Sequence, residues 1–466
     1  MKKLFLYILC VAAAGAQLSC KKELNALPTQ SKVEGNAIID QKSAEVALNG
    51  VYLRFAEGGD DRGTPSVMWA QVHEINATWL AGYLTYPSGG GSFDENSRVT
   101  ADDYGVAAMW AGSYALINAA NGVIEQVAVL DNGKFTGTRK AEIIAEARIL
   151  RAYGHQNLLR YFTQFYDVNS PYGLLIRKEF VTTNNISLPR SAVKESYDFI
   201  LADLDEGIAG APSSSVSYYS NKWVAKALKA RVLMVRGTAG DYAQVVALTK
   251  DIIQNSPYQL EASVKDIFSG KGLDSKEVLF GITPKPNQVT KNDVYFYNGN
   301  AGYLATDALK NLVANDPRKD WLIGNVGGSI GITKYAGSKV EVSYAIRLTE
   351  MYLLEAEGMV RSGGDINAAR ALLKTVQEHA GVTDFSPITA AITPDAMLRQ
   401  IYNETARNLS FEDGQEWSAL LRLPLATVLS VKPAITDKDH FILPIPKAEF
   451  DKNPQIGAQN PTYSKN

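Results

Sequence analysis

Apolar residues recur at helical spacing along much of this chain. Ile143, Ala147, Leu150, Gly154 and Leu158 fall on one stripe, Trp223, Ala227, Ala230 and Met234 on a second, and Ala369, Leu372, Leu373 and Val376 on a third. Steps of three and four residues predict amphipathic helices with one face turned to a core. Several stripe positions are Ala or Gly, which lets two helices approach closely, as stacked helix pairs require. The chain also repeats itself: Val235-Arg236-Gly237 leads to Gly240-Asp241-Tyr242-Ala243, and Val360-Arg361-Ser362 leads to Gly364-Asp365-Ile366. In both places a Gly-Asp pair separates two helical stretches, which reads as the turn of a helical hairpin of the tetratricopeptide kind. The fold class expected is all-α, built of such hairpins.

Two stretches break the helical pattern. From Asp60 to Asp102 the chain is rich in Gly, Ser and Thr, with Gly89-Gly90-Gly91, and carries Trp69, Trp79, Tyr83 and Tyr86. From Gly281 to Lys334 it holds Pro284, Pro286 and Pro317, many Asn, the run Tyr295-Phe296-Tyr297, then Tyr303 and Trp321. Loops of that length inside a compact protein are usually functional. After Leu423 the chain is Pro-rich and irregular. The organisation expected is one helical domain, 32–466, with loop-rich insertions at about 60–102 and 281–334.

Composition narrows the class. With 46% hydrophobic and 21% charged residues over 466 positions, the chain is an ordinary globular one, long enough for a large core. Forty-seven basic residues against 49 acidic ones leave a net charge of -2, so no positive field exists to attract nucleic acid. Both cysteines, Cys10 and Cys20, precede the body, which can therefore form neither a disulfide nor a thiolate metal site. Met1-Lys2-Lys3 followed by the apolar run Leu4 to Ala16 is too short to span a bilayer and reads as a signal peptide, residues 1–19. Gln17-Leu18-Ser19-Cys20 resembles the lipobox of bacterial lipoproteins, in which the thiol of Cys20 would be acylated; Gln17 departs from the usual Leu. Cleavage there takes the net charge to -4 and leaves residues 20–31 as a polar, lipidated tether.

The C-terminal run Phe441-Ile442-Leu443-Pro444-Ile445-Pro446, with Glu449, Asn453-Pro454 and Gln459-Asn460-Pro461, resembles the closing motifs of the SusD/RagB lipoproteins of Bacteroidetes outer membranes. Ala147-Arg148 with Arg151-Ala152-Tyr153, Leu188-Pro189-Arg190, Ala227 to Arg231, Glu277 to Phe280, Asp316-Pro317-Arg318 and Leu348 to Glu357 extend the likeness over nearly the whole mature chain. Thr462 stands where that family usually has Gly, Asn403 to Trp417 follows its acidic and basic pattern only loosely, and Lys374 to His379 lacks its arginines. The resemblance implies four tetratricopeptide-like units with the irregular segments packed on one side. It also implies a binding protein seated as a lid on a SusC-type TonB-dependent transporter, to which it hands glycans or, in some members, peptides.

Signatures of catalysis are incomplete. His73-Glu74 opens like a zinc-protease helix, but Ala77 occupies the place of the second histidine ligand. The four histidines, His73, His155, His379 and His440, are scattered and read as solvated or core-edge side chains. Ser191 to Lys194 matches Ser-x-x-Lys without its companion motifs, and Gly89-Gly90-Gly91 is a loop, not a phosphate cradle. Neither enzyme activity, cofactor nor metal is expected. A sugar, by contrast, has apolar C–H faces and a rim of hydroxyls, so its site needs exposed aromatic planes flanked by Asn, Asp, Arg or Gln. The first stretch offers Trp79 and Tyr83 with Asn76 and Asp94; the second offers Tyr295, Tyr297, Asn298, Asn300 and Trp321. The platform expected is Trp321 with Tyr295 to Tyr297, with Trp79 as the competing anchor. Neighbouring side chains outside a helix point different ways, so at least one of Tyr295, Phe296 and Tyr297 must face solvent or ligand. Peptide capture by the same fold and a tetratricopeptide assembly scaffold are the alternatives, which ligand selectivity separates.

Overall fold

Each apolar stripe lies on the buried side of a helix in a computed structural model that describes residues 37–56, 69–284 and 291–465. The leader, Cys20 and the whole of the proposed tether lie outside the described residues. The long helices are α1 (Gln41–Ala56), α2 (Tyr104–Ala128), α3 (Arg139–Phe162), α4 (Val193–Gly210), α5 (Lys222–Arg236), α6 (Asp241–Asn255), α7 (Leu348–Arg361), α8 (Ile366–His379) and α9 (Pro394–Leu409), followed by the short α10 (Gln415–Leu420). From α2 to α8 each packs on the next, and α9 returns onto α7. This succession of packed antiparallel neighbours is the tetratricopeptide-like array expected. Small residues do set the spacing: a Cβ added at Gly154 would come within 2.8 Å of Ile117 on α2. No described helix is long and apolar enough to cross a membrane.

The two Gly-Asp turns both close hairpins, but by different chemistry. Gly237 ends α5 in the left-handed conformation, φ 60°, and Asp241 reaches back to pair with Arg236 at 2.6 and 2.8 Å. At the second turn Asp365 caps α8 by accepting from the Asn367 amide. Arg361 instead bonds Glu357, which Arg422 also holds.

Between α6 and α7, and before α2, lies the irregular part, which also contains strands. A four-stranded antiparallel sheet has the order β1 (Leu84–Thr85), β3 (Leu304–Ala305), β5 (Ser329–Ile332), β4 (Ile323–Val326). A separate pair, β2 (Val278–Ile282) and β6 (Ser343–Arg347), is buried on both faces. The first loop-rich stretch departs from expectation. Ala70–Asn76 forms a π-helical turn that runs into the helix Ala77–Leu80, and only Gln71 between Trp69 and Ala81 reaches partial exposure. Polar residues made this stretch read as a loop, yet they face inward to partners far away in sequence.

Those partners form an ionic core. Asp413, in the turn between α9 and α10, accepts from His73 Nδ1 at 3.0 Å, Tyr153 Oη at 2.8 Å and Arg231 Nη1 at 2.7 Å. Arg231 also grips both oxygens of Glu350 on α7. The neighbouring Glu412 binds Arg347 of β6 and Lys334, while Arg347 reaches Glu277. His73 and His155 are thus buried, not solvated or at the core edge; His73 lies in this network, and His155 donates through Nδ1 to the Arg151 carbonyl and accepts the Arg177 amide at Nε2. Burial alone would raise the Asp413 carboxyl, but the His73 hydrogen bond and the charges of Arg231 and Arg160 hold it down at about 2.

Glu416 behaves in the opposite way. Among the described residues only the Thr78 side chain bonds its carboxyl, through one oxygen at 2.5 Å, and burial raises it from the ordinary 4.5 to about 7. Between those values the folded chain holds a proton that the unfolded chain has released. The resulting stabilisation is complete below pH 4.5 and is lost as the pH rises through 7. Lys334 and Lys432, lowered by burial to about 8 and about 7, act with the opposite sign at higher pH. Urea unfolding should therefore show the wild type losing stability relative to Glu416→Gln as the pH is raised from about 5 to about 8. A constant difference between the two proteins would show that Glu416 does not titrate in this way.

Candidate functional site

The two loop-rich stretches meet through β1 and β3. Leu84 pairs with Ala305 and Thr85 with Leu304, so the antiparallel register sets Tyr86 beside Tyr303. Their ring centroids are 5.9 Å apart, nearly edge to face. Trp79 lies below, 5.7 Å from Tyr303 and 6.4 Å from Tyr86, its plane within 14° of the Tyr86 ring. Tyr86 is 47% exposed, Tyr303 half-buried and Trp79 8% exposed, so the three form a stepped aromatic surface with Tyr86 outermost. Tyr303 Oη donates to Gln71, the one partly exposed residue of the π-helical segment.

The loop behind Tyr86 is shaped around Trp79. The indole Nε1 donates to Asp94 Oδ1 at 2.6 Å, and the other oxygen of Asp94 accepts the Gly91 amide. A Cβ on Gly91 would lie 1.9 Å from the indole ring, so glycine is needed at that position for the backbone to lie against the tryptophan. Exposed Pro87, Ser88, Gly89 and Gly90 complete the rim beside Tyr86.

Three of the residues expected to bind ligand are structural. Tyr295 is 1% exposed and donates to Glu74 at 2.8 Å, next to the Lys291 ammonium. Tyr83 is 2% exposed and shares a hydrogen bond with Tyr402, burial pushing its hydroxyl up to about 12. Asn76 is 2% exposed and accepts from Gln71. A ring or amide enclosed by protein on every side has no face to offer a sugar, which removes all three from the candidate set. Trp321 is half-buried, stacked on Phe268 at 5.7 Å, and no ring contact joins it to Tyr297 among the described residues. The expected pairing of Trp321 with Tyr295 to Tyr297 is therefore not formed. Tyr297 itself is 63% exposed, so one member of the aromatic run does face solvent, and Asn298 and Asn300 are exposed on the same turn. That turn abuts Gly327 of the β4–β5 hairpin, within the sheet that carries Tyr303. Tyr86 and Tyr303 were visible as loop aromatics, but nothing local in the sequence announces their pairing.

Among the described residues, the two roomiest of the cavities seen lie elsewhere. One of about 620 Å³ is lined by Arg177, Lys178, Glu195 and Phe199 beside α4, and one of about 300 Å³ by Trp110, Tyr114 and Glu449 beside α2. Neither includes the stepped aromatics.

Residues 28–234 match a SusD-like family described as starch-binding and associating with the outer membrane, and residues 329–427 match the SusD family. A SusD-like protein of Bacteroides ovatus is 24% identical over 268 residues, which cover 56% of this chain and 46% of that protein, so the match spans about half the length of that relative. A crystallised SusD superfamily protein from Bacteroides thetaiotaomicron superposes with a TM-score of 0.74 at 21% identity, covering 91% of this chain and 100% of that one. A laminarin-binding SusD-like protein superposes with a TM-score of 0.68 at 18% identity, again over 91% and 100%. These likenesses show the fold.

The division between buried and exposed tyrosines can be measured. Tyr295→Phe removes a hydrogen bond to a buried carboxylate and should lower unfolding stability by about 1.5–3 kcal/mol, whereas Tyr297→Ala should change it by less than about 0.5 kcal/mol. Equal effects in chemical denaturation would contradict the placement of Tyr295 in the core.

Proposed function

Since the chain belongs to the SusD/RagB family, we propose that it is a lipid-anchored glycan-binding protein of the outer membrane. In this reading it captures an oligosaccharide at the cell exterior and delivers it to a SusC-type TonB-dependent transporter. The observation that carries the reading is the stepped surface of Tyr86, Tyr303 and Trp79 on the rim where the loop-rich stretches join. An exposed ring accepts the C–H face of a sugar, and partly exposed Gln71 lies beside the aromatics to meet hydroxyls. Tyr297, Asn298 and Asn300 on the neighbouring turn are candidates for a further unit of an extended ligand. Such a surface binds without any group acting on the bound molecule, and the proposed role is capture, not turnover. The anchor is Cys20, whose lipobox-like setting supports acylation, and the several chains of a bacterial lipoprotein would hold the domain stably.

Calorimetry with a panel of plant, host and microbial glycans, alongside peptides, tests the ligand class. Binding of one or more glycans is expected, and peptide binding with no glycan signal would overturn the assignment. Tyr86→Ala and Tyr303→Ala should each weaken glycan affinity about tenfold, as loss of about 1–2 kcal/mol of stacking implies. The melting temperature of Tyr86→Ala should stay close to wild type. Unchanged affinity in both variants would move the site away from this rim.

A further inference from the structure

Lys432, at the end of the helix Leu425–Val431, is 4% exposed and points into the base of the Tyr86 loop. Its ammonium donates to the carbonyl oxygens of Trp79 at 3.0 Å and Phe93 at 2.7 Å. No carboxylate lies within ion-pair distance of it among the described residues, and Asp94 is the charged group there that acts on it. Both Asp94 oxygens are already engaged, by Trp79 and Gly91. A buried ammonium without an ion-pair partner is costly, so its position requires a compensating role. The two carbonyls supply one: they belong to the two ends of the loop that carries Tyr86. The aliphatic stem of Lys432 lies against Gly82, whose φ of +84° turns the chain from the Trp79 helix into β1.

We propose that Lys432 is a positioning residue for the aromatic platform, an internal clamp that joins both ends of the Trp79 to Phe93 loop and thereby fixes where Tyr86 stands. The near end of the loop has other ties, since Thr306 bonds the Gly82 and Tyr83 carbonyls. The Phe93 carbonyl has Lys432 as its hydrogen-bond donor. The far end is also held by Asp94, which accepts from Trp79 and from the Gly91 amide, so loss of the ammonium should loosen the segment from Tyr86 to Phe93 without detaching it, while the helical body keeps its packing. The effect on ligand rests on the glycan-binding reading; the effect on the loop does not.

The test is Lys432→Met, which keeps the stem and removes the donors. Hydrogen exchange should accelerate about tenfold or more for amides between Tyr86 and Asp94, with α3 unchanged, and glycan affinity should fall about tenfold. Unchanged loop exchange, or acceleration spread evenly through the body, would overturn the clamp. If the variant does not fold, the wild type supplies the same comparison. Burial lowers Lys432 to about 7, so in Glu416→Gln, where the carboxyl bonded to Thr78 no longer titrates, loop opening corrected for intrinsic exchange should still rise between about pH 6 and 9 as the ammonium becomes an amine, and a flat profile would contradict the proposal. Should the wild type bind no glycan, the functional reading fails, and the exchange data still decide the role of Lys432.

Discussion

Asp413 and Glu412 must each find cationic partners in a region closed to water, and much of the molecule is arranged around that need. Isolated charges at such depth would cost several kcal/mol each, so the turn between α9 and α10 can be buried only where Arg231, Arg347 and Lys334 converge on it. Those three come from α5, from β6 and from the segment between the strands. Their convergence fixes the helical array against the irregular part. The turn is itself demanding. Phe411 adopts φ +68°, and a Cβ on Gly414, at φ +64°, would come within 2.6 Å of Ala77.

The same turn governs the candidate site through one short helix. His73 bonds Asp413, and Thr78 bonds both Glu416 and the Phe411 amide. Trp79 is the next residue, so the base of the aromatic surface is held from below by the ionic core and from the side by Asp94. The β1–β3 pairing then brings Tyr86 and Tyr303 over it. A ligand surface made of loops thus has a rigid foundation, which reduces the ordering cost that a floppy loop would impose on binding.

What could be read in the sequence was periodic or local: the helical stripes, the Gly-Asp hairpin turns, and the motifs that carry the family resemblance. Those motifs turn out to be the frame. Arg231, Glu277, Arg318 and Glu350 lie in buried ion pairs. Gln459 brackets Ile445 through both its backbone groups, and Asn460 ties Leu443 to Phe162. The site was less legible because its decisive contacts are distant. Tyr295 and Tyr297 are two residues apart in similar surroundings, yet Glu74 draws one into the core and leaves the other outside. No local pattern could separate them. Likewise, two-residue strands carry no periodic signal, so the meeting of Tyr86 with Tyr303 could not be inferred from composition.

The central claim, that paired charges around Asp413 hold the array and the site's foundation together, is tested most directly by the unfolding free energy of Arg231→Met. Removing that cation leaves Asp413 and Glu350 buried without their shared partner, and denaturant titration should show a loss of about 3–5 kcal/mol. A loss below about 1 kcal/mol, the scale of an exposed pair, would contradict the account.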